Sequence, residues 1–298
     1  PEAIPMALSF FHTFFNVVNT LILVWFIPVI IKIVNWMVPT KAEDSDDDFQ
    51  LTYIKGNFMD TAELNIQSAQ REIVNFSKRV LRMYSFLPSL RTAKSEEEFD
   101  ETMERIDKYE RITDHMELEI TQFLSKVGTG EISPEGSQRI SGMLRIVDNL
   151  ESIGDAIYQI AMLRKNKRSD AVHFAQNLND NLEQMTTLVQ HTLEVMDENL
   201  KGDYNKANLD KAYEAEKAVN QYRDLLRQQH LDALKNSTYD YAIGAAYSGL
   251  YALYEKLADY VINVSEAACG RKTVNSLNLQ IQIHSLQHLT IHMMGVRV

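Results

Sequence analysis

The 298 residues carry a formal charge of −11, are 45% hydrophobic and 24% charged, and include only 11 Gly and 6 Pro. That leaves enough apolar side chain for one or two cores and few helix breakers, and the acidic balance excludes nucleic acid as a partner in favour of cations and basic proteins. Cys269 is the one cysteine, which excludes an intrachain disulfide and fits a reducing compartment.

The chain opens on Pro1 rather than Met, so further sequence is expected upstream, and residues 1–40 show neither the basic start nor the cleavage site of a signal peptide. Residues 3–38 are a long apolar run with one basic residue, Lys32. The stretch 4–26 is long enough to be read as a transmembrane helix. Pro28 should break it, and 30–39, with Trp36, then reads as an interfacial piece. His12, Asn16 and Asn19 share one face, a seam suited to gluing helices together. The span 1–40 is thus expected to be a transmembrane and interfacial segment, followed by an acidic linker over 41–56 that opens with KAEDSDDD.

Six helices of similar length follow, expected near 57–91, 95–127, 135–167, 169–201, 204–235 and 239–272. The punctuation is local. Ser95 and Glu98 form a capping box, Ser133-Pro134 is an N-cap with Pro at the first helical position, Gly202 ends the fourth helix and Ser237 starts the sixth. Short loops make neighbours antiparallel. The expected fold class is all-α: one transmembrane helix, then two tandem antiparallel three-helix bundles, 57–167 and 168–272.

The halves look duplicated. LESIGDAIYQIAMLRKNK (150–167) parallels YEKLADYVINVSEAACGRK (254–272), and YERITDHMELEI (109–120) parallels YEAEKAVNQYRDLLRQ (213–228). In the second helix, Phe99, Met103, Ile106, Ile120 and Leu124 mark an apolar stripe. Continued between them, that stripe falls on Glu110, Thr113 and Glu117, with Asp107 and Asp114 beside it. The third helix adds Asp148, Glu151 and Asp155. Carboxylates gathered on facing helices repel one another, and oxygen-rich sites bind hard or borderline divalent cations. The plainer alternative is a solvated acidic face.

In the second half the pattern is eroded. Tyr213, Asn220, Arg223 and Ala252 stand where Asp107, Asp114, Glu117 and Asp148 stand in the first, leaving Glu216, Glu255 and Asp259. Arg223 should face Glu255 and Asp259 and offset their charge as a metal would. No catalytic arrangement emerges: there is no Gly-rich phosphate loop and no Glu-x-x-His, and His115 points away from the acids. The chain is therefore not read as an enzyme, and a metal-dependent enzyme is the weakest reading.

At these motifs, ERITD, ESIGD, EKLAD and the altered EKAVN, residues 57–272 resemble PhoU, the phosphate-signalling regulator. Residues 12–28 are similar to a late transmembrane helix of bacterial sodium–phosphate cotransporters, members of which often carry a C-terminal PhoU-like domain. The resemblance implies metal ions of unknown identity (Fe, Zn, Mg or Mn) on Glu110, Asp114, Glu151, Asp155, Glu255 and Asp259. It implies a cytoplasmic regulatory domain of a sodium-dependent phosphate transporter in the inner membrane, lacking its N-terminal transporter repeats. The Gln-Ser-Ser motifs of that family's substrate site are absent, so this chain should not transport phosphate alone. Partners would be the membrane, those repeats, and a signalling protein or a second copy of the chain. The alternative is a membrane-anchored helical adaptor that docks a phosphate-signalling protein without transport. Residues 273–298 contain no acid and place His284, His288 and His292 at four-residue spacing; they are expected to be a disordered tail.

Overall fold

Ile66, Ala69, Ile73, Phe76, Val80 and Met83 recur at helical spacing and are almost fully buried. They form the inner face of a helix over Ala62–Tyr84. The structure is a computed structural model that describes residues 8–20, 26, 51–54, 61–169, 173–202 and 208–270. The chain divides into two compact units, residues 1–50 and 51–298.

In the first unit residues 8–20 are helical (α1). Phe10, Phe11, Phe14 and Phe15 are exposed along it, and the Phe11 and Phe15 rings stack at 6.3 Å. This corrects the expected transmembrane helix over 4–26: among the described residues, no helix is long and apolar enough to cross a membrane. The polar positions His12, Asn16 and Asn19 also interrupt its apolar surface. The inner-membrane localisation and the membrane partner that rested on this span are withdrawn with it. The interfacial piece at 30–39, residues 41–50 of the linker and the tail 273–298 lie outside the described residues.

In the second unit the helices are α2 (Ala62–Tyr84), α3 (Leu87–Thr92), α4 (Glu96–Gly128), α5 (Pro134–Ser169), α6 (Gln176–Lys201), α7 (Leu209–Lys235) and α8 (Tyr241–Ala268). Local chemistry sets their starts. The Glu98 amide donates to Ser95 Oγ at 3.1 Å, and Glu98 Oε2 in turn accepts from the Lys94 amide at 2.9 Å. Gly136 N donates to Ser133 Oγ at 3.0 Å, ahead of Pro134 in the first turn of α5. The start of α8 differs from expectation. Asp240 is its N-cap, accepting from the Ile243 amide at 3.0 Å, while Ser237 sits at φ 51 in the turn after α7. The first expected helix is broken at Ser85–Phe86, after which α3 begins with Pro88 in its first turn.

Helices α2, α4 and α5 pack together, as do α6, α7 and α8, and the most extensive packing of all joins α5 to α8. Gly142 permits part of it, since a Cβ there would lie 3.3 Å from the Ala267 carbonyl oxygen, a backbone atom that cannot step aside. Polar contacts also tie the halves. Tyr84 OH donates to the Thr186 carbonyl at 2.7 Å, and Arg164 Nη2 to Tyr254 OH at 3.2 Å. Ahead of α2, the buried Glu72 carboxylate accepts from the Thr52 amide at 2.9 Å and the Tyr53 amide at 2.6 Å. Those bonds, with Leu51 and Ile54 buried, hold residues 51–54 on the bundle.

Candidate metal centre

The apolar stripe of α4 is not interrupted by acids. It runs through Tyr109, Ile112 and Met116, all buried, between Ile106 and Ile120. A stripe of mixed three- and four-residue steps can pass through either of two neighbouring positions, and here it takes the apolar one. Glu110 and Glu117 therefore lie beside the core, half-buried, rather than in it.

That edge of α4 faces α5. Thr113 is buried against Gly154, where an added Cβ would lie 2.9 Å from Thr113 Oγ1. The glycine lets the two helices approach closely at the point where their acids face one another. One carboxylate oxygen from each of Glu110, Asp114 and Asp155 lies within 4.8 Å of the others. Glu110 and Asp155 are half-buried and Asp114 is exposed, so the group sits at the mouth of the α4–α5 groove. A hydroxyl steadies the backbone there: Thr113 Oγ1 donates to the Glu110 carbonyl at 2.7 Å.

Electrostatics mark the same place. Burial, then the charges of Asp114, Asp107 and Asp155, push the Glu110 carboxyl above its ordinary value, and Arg111 opposes them. Asp114 is raised by burial and by Asp155. Glu151, one turn before Asp155, is pushed up to about 7, first by burial and next by Asp155, against a lowering hydrogen bond from Ser152. Burial and mutual repulsion thus favour the protonated form of these acids, a preference that a bound cation would reverse.

The other expected ligands lie apart from the three. Asp107 pairs with Arg111 one turn on, Glu117 accepts from Thr121 Oγ1 at 3.2 Å, and Asp148, exposed as a residue, has a carboxyl raised by partial burial. His115 is exposed and faces Glu119 Oε1 at 3.7 Å. In the second half Arg223 Nη1 donates to Glu255 Oε1 at 2.6 Å, the pairing its position implied. Its Nε also lies 2.9 Å from Asp224 Oδ1. Asn220 Nδ2 donates to Glu216, and Tyr213 OH donates to Glu266 at 2.7 Å. Asp259 is exposed and still pushed up to about 6, by burial of its carboxyl, then Glu255 and Glu216, with Arg223 opposing. Gly154 was legible within ESIGD, but its role was not, because the partner that demands a glycine is on another helix.

The donor chemistry fits a hard cation. Three carboxylates without histidine or thiolate suit Mg or Mn better than Zn.

Residues 89–163 match the PhoU domain family. The stretch contains Glu110, Asp114, Glu151 and Asp155 and ends before α6. No curated protein matches the chain. Among solved structures, the phosphate transport system regulatory protein PhoU from Streptococcus pneumoniae is similar at a TM-score of 0.57 and 17% identity, over 70% of this chain and 95% of that one. A likeness at that identity shows the fold: an all-α, PhoU-like bundle. Both matches bear on the PhoU-like part of the expectation and not on a sodium–phosphate cotransporter.

Proposed function

We propose that the helical unit is a PhoU-type regulatory module of phosphate transport, loaded with a divalent cation at Glu110, Asp114 and Asp155, with Glu151 beside them. The observation that carries the reading is the convergence of those carboxylates in a PhoU-like bundle, where burial and mutual repulsion raise Glu110 and Asp114 and Arg111 only partly opposes this at Glu110. A bound ion would lower the repulsion between α4 and α5 and fix their separation, making the bundle's surface dependent on metal loading. The reading assigns no catalysis to the chain. Its two halves act as bundles of three long helices each, the first holding metal and the second holding Arg223 in its place.

In its narrower form the regulated transporter is sodium-coupled, a reading that the sequence of residues 12–28 raised and that phosphate uptake tests. The alternative is an adaptor that docks a phosphate-signalling protein. A strain lacking the gene, complemented with the unaltered chain or with Glu151→Gln/Asp155→Asn, separates them by sodium-dependent uptake of labelled phosphate and by a phosphate-starvation reporter. Altered uptake supports the transporter reading. A change in the reporter alone supports the adaptor, and no change in either sinks both.

A further inference from the structure

The two halves differ where α7 meets α8. Pairing Glu110 with Glu216 aligns Glu117, Thr121 and Leu124 of α4 with Arg223, Arg227 and His230 of α7. Pairing Glu151 with Glu255 aligns Ile140, Leu144 and Asp148 of α5 with Gly244, Ser248 and Ala252 of α8. One wall has thus exchanged a carboxylate for guanidinium groups, and the other has lost side-chain volume and an acid. Between them lies a cavity of about 570 Å³.

Its charge is positive in an acidic chain. Arg223 is already held by Glu255 and Asp224. Arg227, on the same wall, makes no hydrogen bond or ion pair among the described residues. Burial lowers the pKa of His230, which favours the neutral imidazole, and its Nδ1 shares a 2.6 Å hydrogen bond with Tyr239 OH. Arg223 and Arg227 together oppose the upward push of burial on the Tyr251 phenol, which places both positive charges against the same part of the lining. Among the residues that line the cavity, Glu255 offsets Arg223 and leaves the charge of Arg227, while Asp224, the second partner of Arg223, lies outside the lining.

The cavity's size falls within the ~300–1,000 Å³ of small-molecule sites and exceeds what a bare oxyanion fills. Leu234, Ala245 and the ring of Tyr241 give it apolar surface beyond the guanidinium groups.

We propose that this cavity binds a small organic anion, its phosphate or carboxylate head on Arg227 and its apolar body along the small-residue wall of α8. A guanidinium presents paired N–H donors that match either head group. The site lies apart from the α4–α5 metal centre and does not depend on the reading of that centre.

The 298-residue protein is titrated calorimetrically, with chelator present, against phenyl phosphate, benzoate, inorganic phosphate and phenol. Phenyl phosphate or benzoate should bind once per chain, the stronger of the two identifying the head group. The bare phosphate and the uncharged phenol should each bind at least about tenfold more weakly. Arg227 is exposed, so Arg227→Ala should fold and lose about tenfold or more in affinity, with Arg227→Lys retaining part of it. Ser248→Leu, which installs the residue of the first half, should fill the cavity and block binding. Failure of both organic anions to bind would overturn the proposal. So would inorganic phosphate binding as tightly as phenyl phosphate, or affinity unchanged in both Arg227→Ala and Ser248→Leu.

Discussion

Arg223 and Glu117 occupy matched positions in the two halves, and one side chain reverses the local charge. In the second half a built-in guanidinium holds Glu255 at 2.6 Å; on the proposed reading a divalent cation does that work for the acids of the first. Removing Glu151 and Asp155 as the amides should therefore cut the divalent-metal content of the purified chain sharply, while the Glu255→Gln/Asp259→Asn variant should change it little. Elemental analysis decides this, and equal loss from both would mean that the halves bind alike. Arg223→Glu should raise metal content, because it removes the competing cation and adds a carboxylate. The acids of both halves were visible from their spacing at three, four and seven residues. Which three converge was not, since α4 and α5 meet through Gly154 and Thr113 and spacing along one helix says nothing of the facing one.

At the scale of the helix, the α4–α5 approach depends on the missing Cβ of Gly154. Gly154→Ala gains helix propensity of up to ~1 kcal/mol. It also drives a methyl to 2.9 Å from Thr113 Oγ1 in a buried contact, and overpacking of that kind costs about 1–3 kcal/mol. The variant should be destabilised in urea titration and should bind metal more weakly as the helices part. Adding Thr113→Ala should recover stability; a double variant no more stable than Gly154→Ala would show that the contact is not the cause. The caps illustrate what a helix states locally. Ser95 and Ser133 were readable because the residues they cap lie within three positions. Ser237 was misread because Asp240 competes for the same role, and the backbone resolves the competition by placing Ser237 at φ 51.

Across the molecule the raised carboxyls set a pH dependence. Glu151 moves from 4.5 to about 7 and Asp259 from 3.8 to about 6, with Glu110 and Asp114 shifted the same way. The unfolded chain loses these protons at lower pH than the folded one, so the folded state binds more protons in between and stability falls as pH rises through that window. The chelated protein should melt at a lower temperature near pH 7.5 than near pH 5, and millimolar Mn should raise the melting temperature more at the higher pH. A melting temperature that rises with pH in chelator would contradict the burial of these acids. The sequence by itself determined the all-α class, the near ends of the long helices and the paired acidic motifs, because apolar period, caps and breakers act within a few residues. Only the tertiary structure decided that Glu110, Asp114 and Asp155 converge, that α5 and α8 join the halves, and that α7 and α8 leave a cavity beside Arg227. It also overturned the membrane span, since hydropathy counts apolar residues, whereas crossing a bilayer needs one unbroken helix of sufficient length, which none of the described residues form.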